Sequence, residues 1–210
     1  MRGYLTVHTK SVIIIAVMKK LVMIAMIIWP AALVAGDIII NEVSVKDGGW
    51  VELKNTGSSP VNLKGWKIMN SGGSDLLPDV VVQPGAYLVI AGSRAVRADA
   101  YLADGSLGSG LIASGDMLAL VNPEGEVVDM LNWGELNPNW KNYIPGLWGR
   151  GPSVSSTGIL ARIPDAADRD LARDFREMPQ ATPGDENTYP AGLDVPSWGK
   201  IKALFSPGSR

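Results

Sequence analysis

From Ile38 onward, apolar and polar residues exchange places over short stretches that end in turn chemistry. Val51 and Leu53 alternate with Glu52 and Lys54, and Thr56-Gly57-Ser58-Ser59-Pro60 follows with the small and restricted residues of a chain reversal. The same reading predicts strands over 38–45, 50–54, 61–63, 66–69, 79–82, 86–91, 117–121, 127–132 and 159–163. Asp47-Gly48-Gly49, Ser71-Gly72-Gly73, Gln83-Pro84-Gly85 and Asn122-Pro123-Glu124-Gly125 separate them. No helical period interrupts the series, so the pattern predicts an all-β sandwich with Trp66, Leu88, Ile90, Leu118, Leu120 and Val127 in its core.

Two stretches depart from strand patterning. Residues 133–156 lack alternation and are rich in Gly, Pro, Asn and aromatics, which predicts a long loop at one end of the strands. The tail 189–210 places Trp198, Ile201 and Phe205 at i, i+3 and i+7, one face of a short helix. There is no internal repeat and no low-complexity tract.

Three segments, in order, carry a family resemblance. Ile-Ile-Ile-Asn-Glu-Val from Ile38, Trp-Val-Glu-Leu-Lys-Asn-Thr-Gly from Trp50 and Pro-Val-Asn-Leu-Lys-Gly-Trp-Lys-Ile-Met from Pro60 form the first. Gly115–Val121 and Glu126–Leu131, flanking a Pro-Glu-Gly turn, form the second. Ile159–Asp165, Asp174-Phe175-Arg176 and Ala181-Thr182-Pro183-Gly184 form the third. Together they resemble the lamin tail domain family in its secreted bacterial and archaeal type. The resemblance implies an immunoglobulin-like β-sandwich over 37–188, of a kind often found beside secreted enzymes or surface proteins. A fold of this kind serves many tasks, so any activity must be argued from side chains.

The first 36 residues differ from the rest: four basic side chains (Arg2, Lys10, Lys19, Lys20), no acidic one, and an apolar run from Leu21 to Ala35. A start at Met18 gives Lys19-Lys20 as a charged region, then an apolar core, then Val34-Ala35-Gly36 before Asp37, the arrangement of a signal peptide. The competing reading is an uncleaved membrane anchor, although the apolar run is shorter than the ~20 residues of a usual spanning helix. Without residues 1–36, 15 basic side chains face 21 acidic ones, a net charge of −6. Nothing supplies the clustered basic face that neutralises phosphates, so nucleic acid is not an expected partner, and chromatin contacts of animal relatives do not carry over.

The only histidine is His8, within the signal region, and cysteine is absent. Ser-His-Asp and Cys-His nucleophile systems and thiolate or imidazole zinc sites are thereby excluded from the processed chain. The Gly-rich stretch 105–110 has neither a nucleophile elbow nor a phosphate-loop register and reads as a loop. Glu42 and Glu52 raise the question of a carboxylate pair, which needs two carboxyl groups roughly 5–9.5 Å apart beside a cleft; strand carboxylates more often face solvent or pair with a Lys such as Lys54 or Lys67. The acidic run 165–174 offers Asp165, Asp168 and Asp170 as Ca²⁺ donors, against which Arg169 and Arg173 argue for a solvated, internally paired turn. In the long loop, Trp133, Trp140, Tyr143 and Trp148 alternate with Asn137, Asn139, Lys141 and Asn142. Such aromatic faces beside amides hold sugars or extended peptides, or else close a sandwich. Trp140, Tyr143, Trp148, Asn139 and Asn142 are the expected ligand contacts.

The sequence thus leads to a secreted or cell-envelope-associated, non-catalytic sandwich that binds or supports an extracellular protein or glycan, without a cofactor unless Ca²⁺ is one. Membrane contact is expected only if the N-terminal segment is uncleaved. The alternative is a carboxylate-based hydrolase or a Ca²⁺-assisted accessory domain of one.

Overall fold

β1 (Ile38–Ser44) is buried along its whole length and lies between β2 (Trp50–Asn55) and β11 (Ile159–Arg162) in a six-stranded sheet. A computed structural model describes residues 38–46, 49–93, 97–108, 110–142, 144, 146–155 and 157–189; the expected signal region 1–36, the tail after Tyr189, and Tyr143 lie outside the described residues. The remaining strands are β3 (Val61–Asn62), β4 (Lys67–Met69), β5 (Ser74–Leu76), β6 (Val81–Val82), β7 (Tyr87–Ala91), β8 (Ala100–Tyr101), β9 (Asp116–Val121), β10 (Val127–Trp133) and β12 (Phe175–Glu177). The large sheet runs β12-β11-β1-β2-β7-β8, with only its β7–β8 pair parallel; β10-β9-β4-β5 form the second sheet, and β3-β6 a small antiparallel ribbon. This is the immunoglobulin-like sandwich that the sequence predicts.

The core between the sheets takes every other residue of each strand. Ile38, Ile40, Val43 and Val45 enter it from β1 and its end, Val51 and Leu53 from β2, Leu118 and Leu120 from β9, and Leu131 and Trp133 from β10. The spacing 38, 40, 43, 45 contains one extra residue, and the β1–β2 register accordingly shifts between Ile40 and Glu42. That bulge turns Glu42 to the outer face while the apolar residues on both sides keep pointing inward.

Beside the bulge, two charged residues bond the backbone groups of Ile40. Ile40 N donates to Asp129 Oδ2 at 2.6 Å, and Arg162 Nε donates to Ile40 O at 2.7 Å. Arg162 Nη2 reaches both Asp129 oxygens at 2.9 Å, so β11 of one sheet and β10 of the other are joined by a wholly buried ion pair. The Arg162 guanidinium also lies 4.5 Å from the Phe175 ring centroid. Burial pushes the Asp129 carboxyl up to about 6, although Arg162 pulls it the other way.

Ile90, Leu118 and Leu120 are fully buried, whereas Trp66 and Leu88 are half-buried at the edge of the same core. Val127 departs from expectation: it packs into a separate cluster on the outer face of the second sheet, because the β10 register shifts between Val127 and Asp129. The short strands β5, β8 and β12 were not predicted, having two or three residues each and little apolar alternation.

Candidate functional site

The outer face of the six-stranded sheet carries a connected group of ionisable side chains. β1 and β2 are antiparallel, and their register sets Glu42 directly opposite Glu52. Asn41, Lys54 and Tyr87 extend the group, and Asp165 enters it from the turn after β11. Asn41 Nδ2 donates to Glu52 Oε1 and to Asp165 Oδ1, each at 2.9 Å, while Lys54 Nζ pairs with Asp165 Oδ2. Tyr87 Oη donates to the same Asp165 oxygen at 2.9 Å. Together with the backbone N–H of Asn187, these three donors hold the Asp165 carboxyl below its usual range against the opposing effect of burial.

Residues 181–187 lie over this face. Thr182 N donates to Glu42 Oε1 at 3.1 Å, Gly184 N to Glu52 Oε2 at 2.6 Å, and Asn187 N to Asp165 Oδ1 at 3.0 Å. The Asn187 side chain donates to Asn41 O at 3.1 Å. Beneath this segment Glu42 and Glu52 have no exposed surface. Burial raises both carboxyls to about 7, their mutual repulsion adding to the shift at Glu42, while the hydrogen bonds from residues 182 and 184 work against it. The expectation that these strand carboxylates face solvent or pair with Lys is therefore corrected. Lys54 turns to Asp165, Lys67 is exposed, and the two glutamates are capped by backbone N–H groups from a segment about 140 residues distant.

The acidic run does not assemble as a donor set. Asp165 belongs to the face just described, and Asp168 sits 3.1 Å from Arg162 Nη1. The Asp170 carbonyl accepts from Trp148 Nε1 at 3.0 Å. Among the described residues no group of three or more His, Cys, Asp or Glu is placed to hold a metal ion. The turn is paired internally but not wholly solvated, since Asp174 is fully buried and accepts from Arg169 N and Nε and from Leu171 N.

The aromatic loop lies elsewhere than predicted. β10 continues through Trp133, which is fully buried and donates to Ile112 O at 2.9 Å, so the loop begins at Gly134. Its middle covers the outer face of the second sheet, while Trp148 and Val154 pack against the core between the sheets. Ile144 and Leu147 plug a cluster with Met117, Ala119 and Met130, and Trp140 packs at its rim. The loop base is fastened where Gly134 N meets Pro152 O and Gly151 N meets Gly134 O. Gly151 approaches so closely that a Cβ there would stand 2.0 Å from Asn132 O.

Trp148 is bound into the fold through its backbone, which exchanges hydrogen bonds with the Asn132 amide, and its ring tilts 47° against Phe175. Asn139 and Asn142 are exposed on the 3₁₀ turn Pro138–Asn142, together with Lys141. Of the expected contacts, Trp140, Asn139 and Asn142 thus share one surface, and Trp148 faces the β12 side.

The architecture defines an immunoglobulin-like scaffold. The Lamin Tail Domain family model matches residues 32–135, a stretch that spans β1 through β10. That family consists of non-catalytic immunoglobulin-like domains. No curated protein matches the chain. Arg162, Asp165 and the covering segment 181–187 all lie beyond the matched stretch.

Proposed function

We propose that the protein is exported, loses its signal segment beside Asp37, and acts at or outside the cell envelope as a non-catalytic binding or structural module. The observation that carries the non-catalytic reading is the capping of Glu42 and Glu52. Hydrolysis by a carboxylate pair needs an open cleft in which the two groups hold different protonation states. Here both carboxylates have zero exposure, and each accepts a backbone N–H of the chain itself. The lysine-flanked apolar run and small residues before Asp37 support export.

The turn Pro138–Asn142 is the proposed ligand contact, with a sugar or extended peptide as ligand. Trp140 offers an apolar edge there, and Asn139, Lys141 and Asn142 leave polar groups free to face outward. N-terminal sequencing of protein recovered from the producing cells tests export: a membrane-bound product retaining 21–35 overturns it. A glycan and peptide array probed with the processed chain tests binding. Asn139→Ala and Asn142→Ala should together weaken a captured ligand by at least ~1 kcal/mol, and unchanged binding overturns this placement.

A further inference from the structure

We propose that residues 181–187 form a proton-gated strap, closed over the outer face of the six-stranded sheet while Glu42 carries a proton and released when the Glu42–Glu52 pair ionises. The geometry at Thr182 carries the inference. Its hydroxyl lies 2.7 Å from Asn187 Oδ1 and 3.1 Å from Glu42 Oε2, yet it has one hydrogen to give. The Asn187 amide is oriented by its Nδ2, which donates to the carbonyl of Asn41, so its oxygen faces Thr182 as an obligate acceptor. With the hydroxyl hydrogen committed to Asn187, the contact with Glu42 is a hydrogen bond only if Glu42 supplies the proton. Apart from that hydroxyl, Glu42 takes, among the described residues, only the one Thr182 N–H, shared between its oxygens at 3.1 and 3.2 Å, whereas Glu52 takes two separate donors, Asn41 Nδ2 and Gly184 N, which suit the ionised form. The closed face therefore accommodates one proton and one negative charge. Ionising Glu42 sets two wholly buried carboxylates opposite one another and leaves the Thr182 hydroxyl between two acceptors.

The other charged groups do not relieve this. Lys54 is engaged by Asp165 and Tyr87, and Asp165 adds a further negative charge. Across the sheet, Glu42 is in register with Ala161 on β11, which in turn faces the exposed Arg176 on β12. The strap's own Asp185 and Glu186 are exposed and acidic. The sign follows from the direction of the shift. Closure holds the Glu42 carboxyl at about 7 against 4.5 for a solvated one, so closure is fully favourable below about 4.5 and weakens as pH rises through about 7.

Hydrogen exchange of the full chain, read by mass spectrometry on the peptide covering 181–188 and corrected for intrinsic rates, is the test. Protection of this segment should fall by at least roughly tenfold between about pH 6 and pH 8.5, the equivalent of one pKa unit of coupling. Ser155, Thr157 and Gly158, pinned by Glu177 through bonds that do not titrate in that range, should keep their protection. Glu42→Gln supplies a permanent donor and acceptor in place of the protonated acid and should remove the fall. Constant protection of 181–188 in the wild type, or the same fall in Glu42→Gln, overturns the proposal. Should that variant fail to fold, carbon-13 NMR of the glutamate carboxyls decides: a Glu42 midpoint coinciding with the loss of protection supports the strap, and a midpoint near 4.5 overturns it.

Discussion

Glu42 and Glu52 stand directly opposite each other on adjacent antiparallel strands, on the sheet face turned away from the core, and neither has any exposed surface. Two acids in this position would repel each other in an open sheet. They persist because residues 181–187 supply backbone donors to both and because burial favours the uncharged form of at least one. The pair thus ties the end of the domain to its first two strands.

The sandwich interior should respond to lost volume in the ordinary way. Leu120 is completely buried between the sheets, so Leu120→Ala should cost roughly 2–5 kcal/mol in urea unfolding. A change within about ±0.5 kcal/mol, typical of surface sites, would contradict the β9 register.

The ion pair between the sheets should be far more sensitive than its rim. Asp129→Ala leaves the buried Arg162 guanidinium without its main partner and should cost roughly 3–5 kcal/mol. Asp168→Ala removes the partly exposed partner of the same arginine and should cost no more than ~1 kcal/mol. Equal effects in thermal or urea unfolding would mean that the charge is not concentrated at Asp129.

Most of the sandwich is legible in the sequence because its strands alternate. Val51 and Leu53 against Glu52 and Lys54 predict β2 and its inward face directly. The candidate site is not legible in the same way. Glu42 and Glu52 can be singled out as carboxylates on apolar strands, but their pairing depends on a register set by the bulge at Asn41, and their burial depends on a segment about 140 residues away. Arg162 gave no signal either, since an arginine at the end of a strand ordinarily reads as exposed. The one available hint was the polar residue Asp129 at a position otherwise flanked by Val128 and Met130. The aromatic loop misled for a physical reason: Ile144 and Leu147 are the residues that dock it onto a sheet face, and their spacing resembles no regular element.

The loop's aromatics and amides should separate on mutation. Trp148→Ala removes a ring packed on Phe175 and should cost roughly 3–5 kcal/mol, whereas Asn139→Ala, fully on the surface, should stay within about ±0.5 kcal/mol. Chemical denaturation of the two variants checks this. An unaltered stability for Trp148→Ala would return that ring to the list of free contact surfaces.

Acid should release a different part of the fold. Burial pushes the Glu177 carboxyl up, but hydrogen bonds from Ser155, Gly158 and Thr157 together outweigh it and hold it at about 2, so its contribution is fully present above about 4.5 and is lost as pH falls through about 2. Glu177→Gln should therefore lower the thermal midpoint at pH 6 and converge with the wild type in strong acid. A constant difference across that range would show that Glu177 does not titrate with unfolding.

The most direct measurement is the urea stability of the wild type and of Glu42→Gln/Glu52→Gln at pH 5 and pH 8.5. If the pair serves to close the sheet face, wild-type stability falls on the alkaline side as the one proton the pair holds, on a Glu42 carboxyl raised to about 7, is lost. The fall should exceed that of the double variant by on the order of 2–3 kcal/mol, the remainder reflecting groups such as Asp129. Parallel pH profiles for the two proteins would mean that the pair holds no proton at neutral pH, and would contradict the closed face.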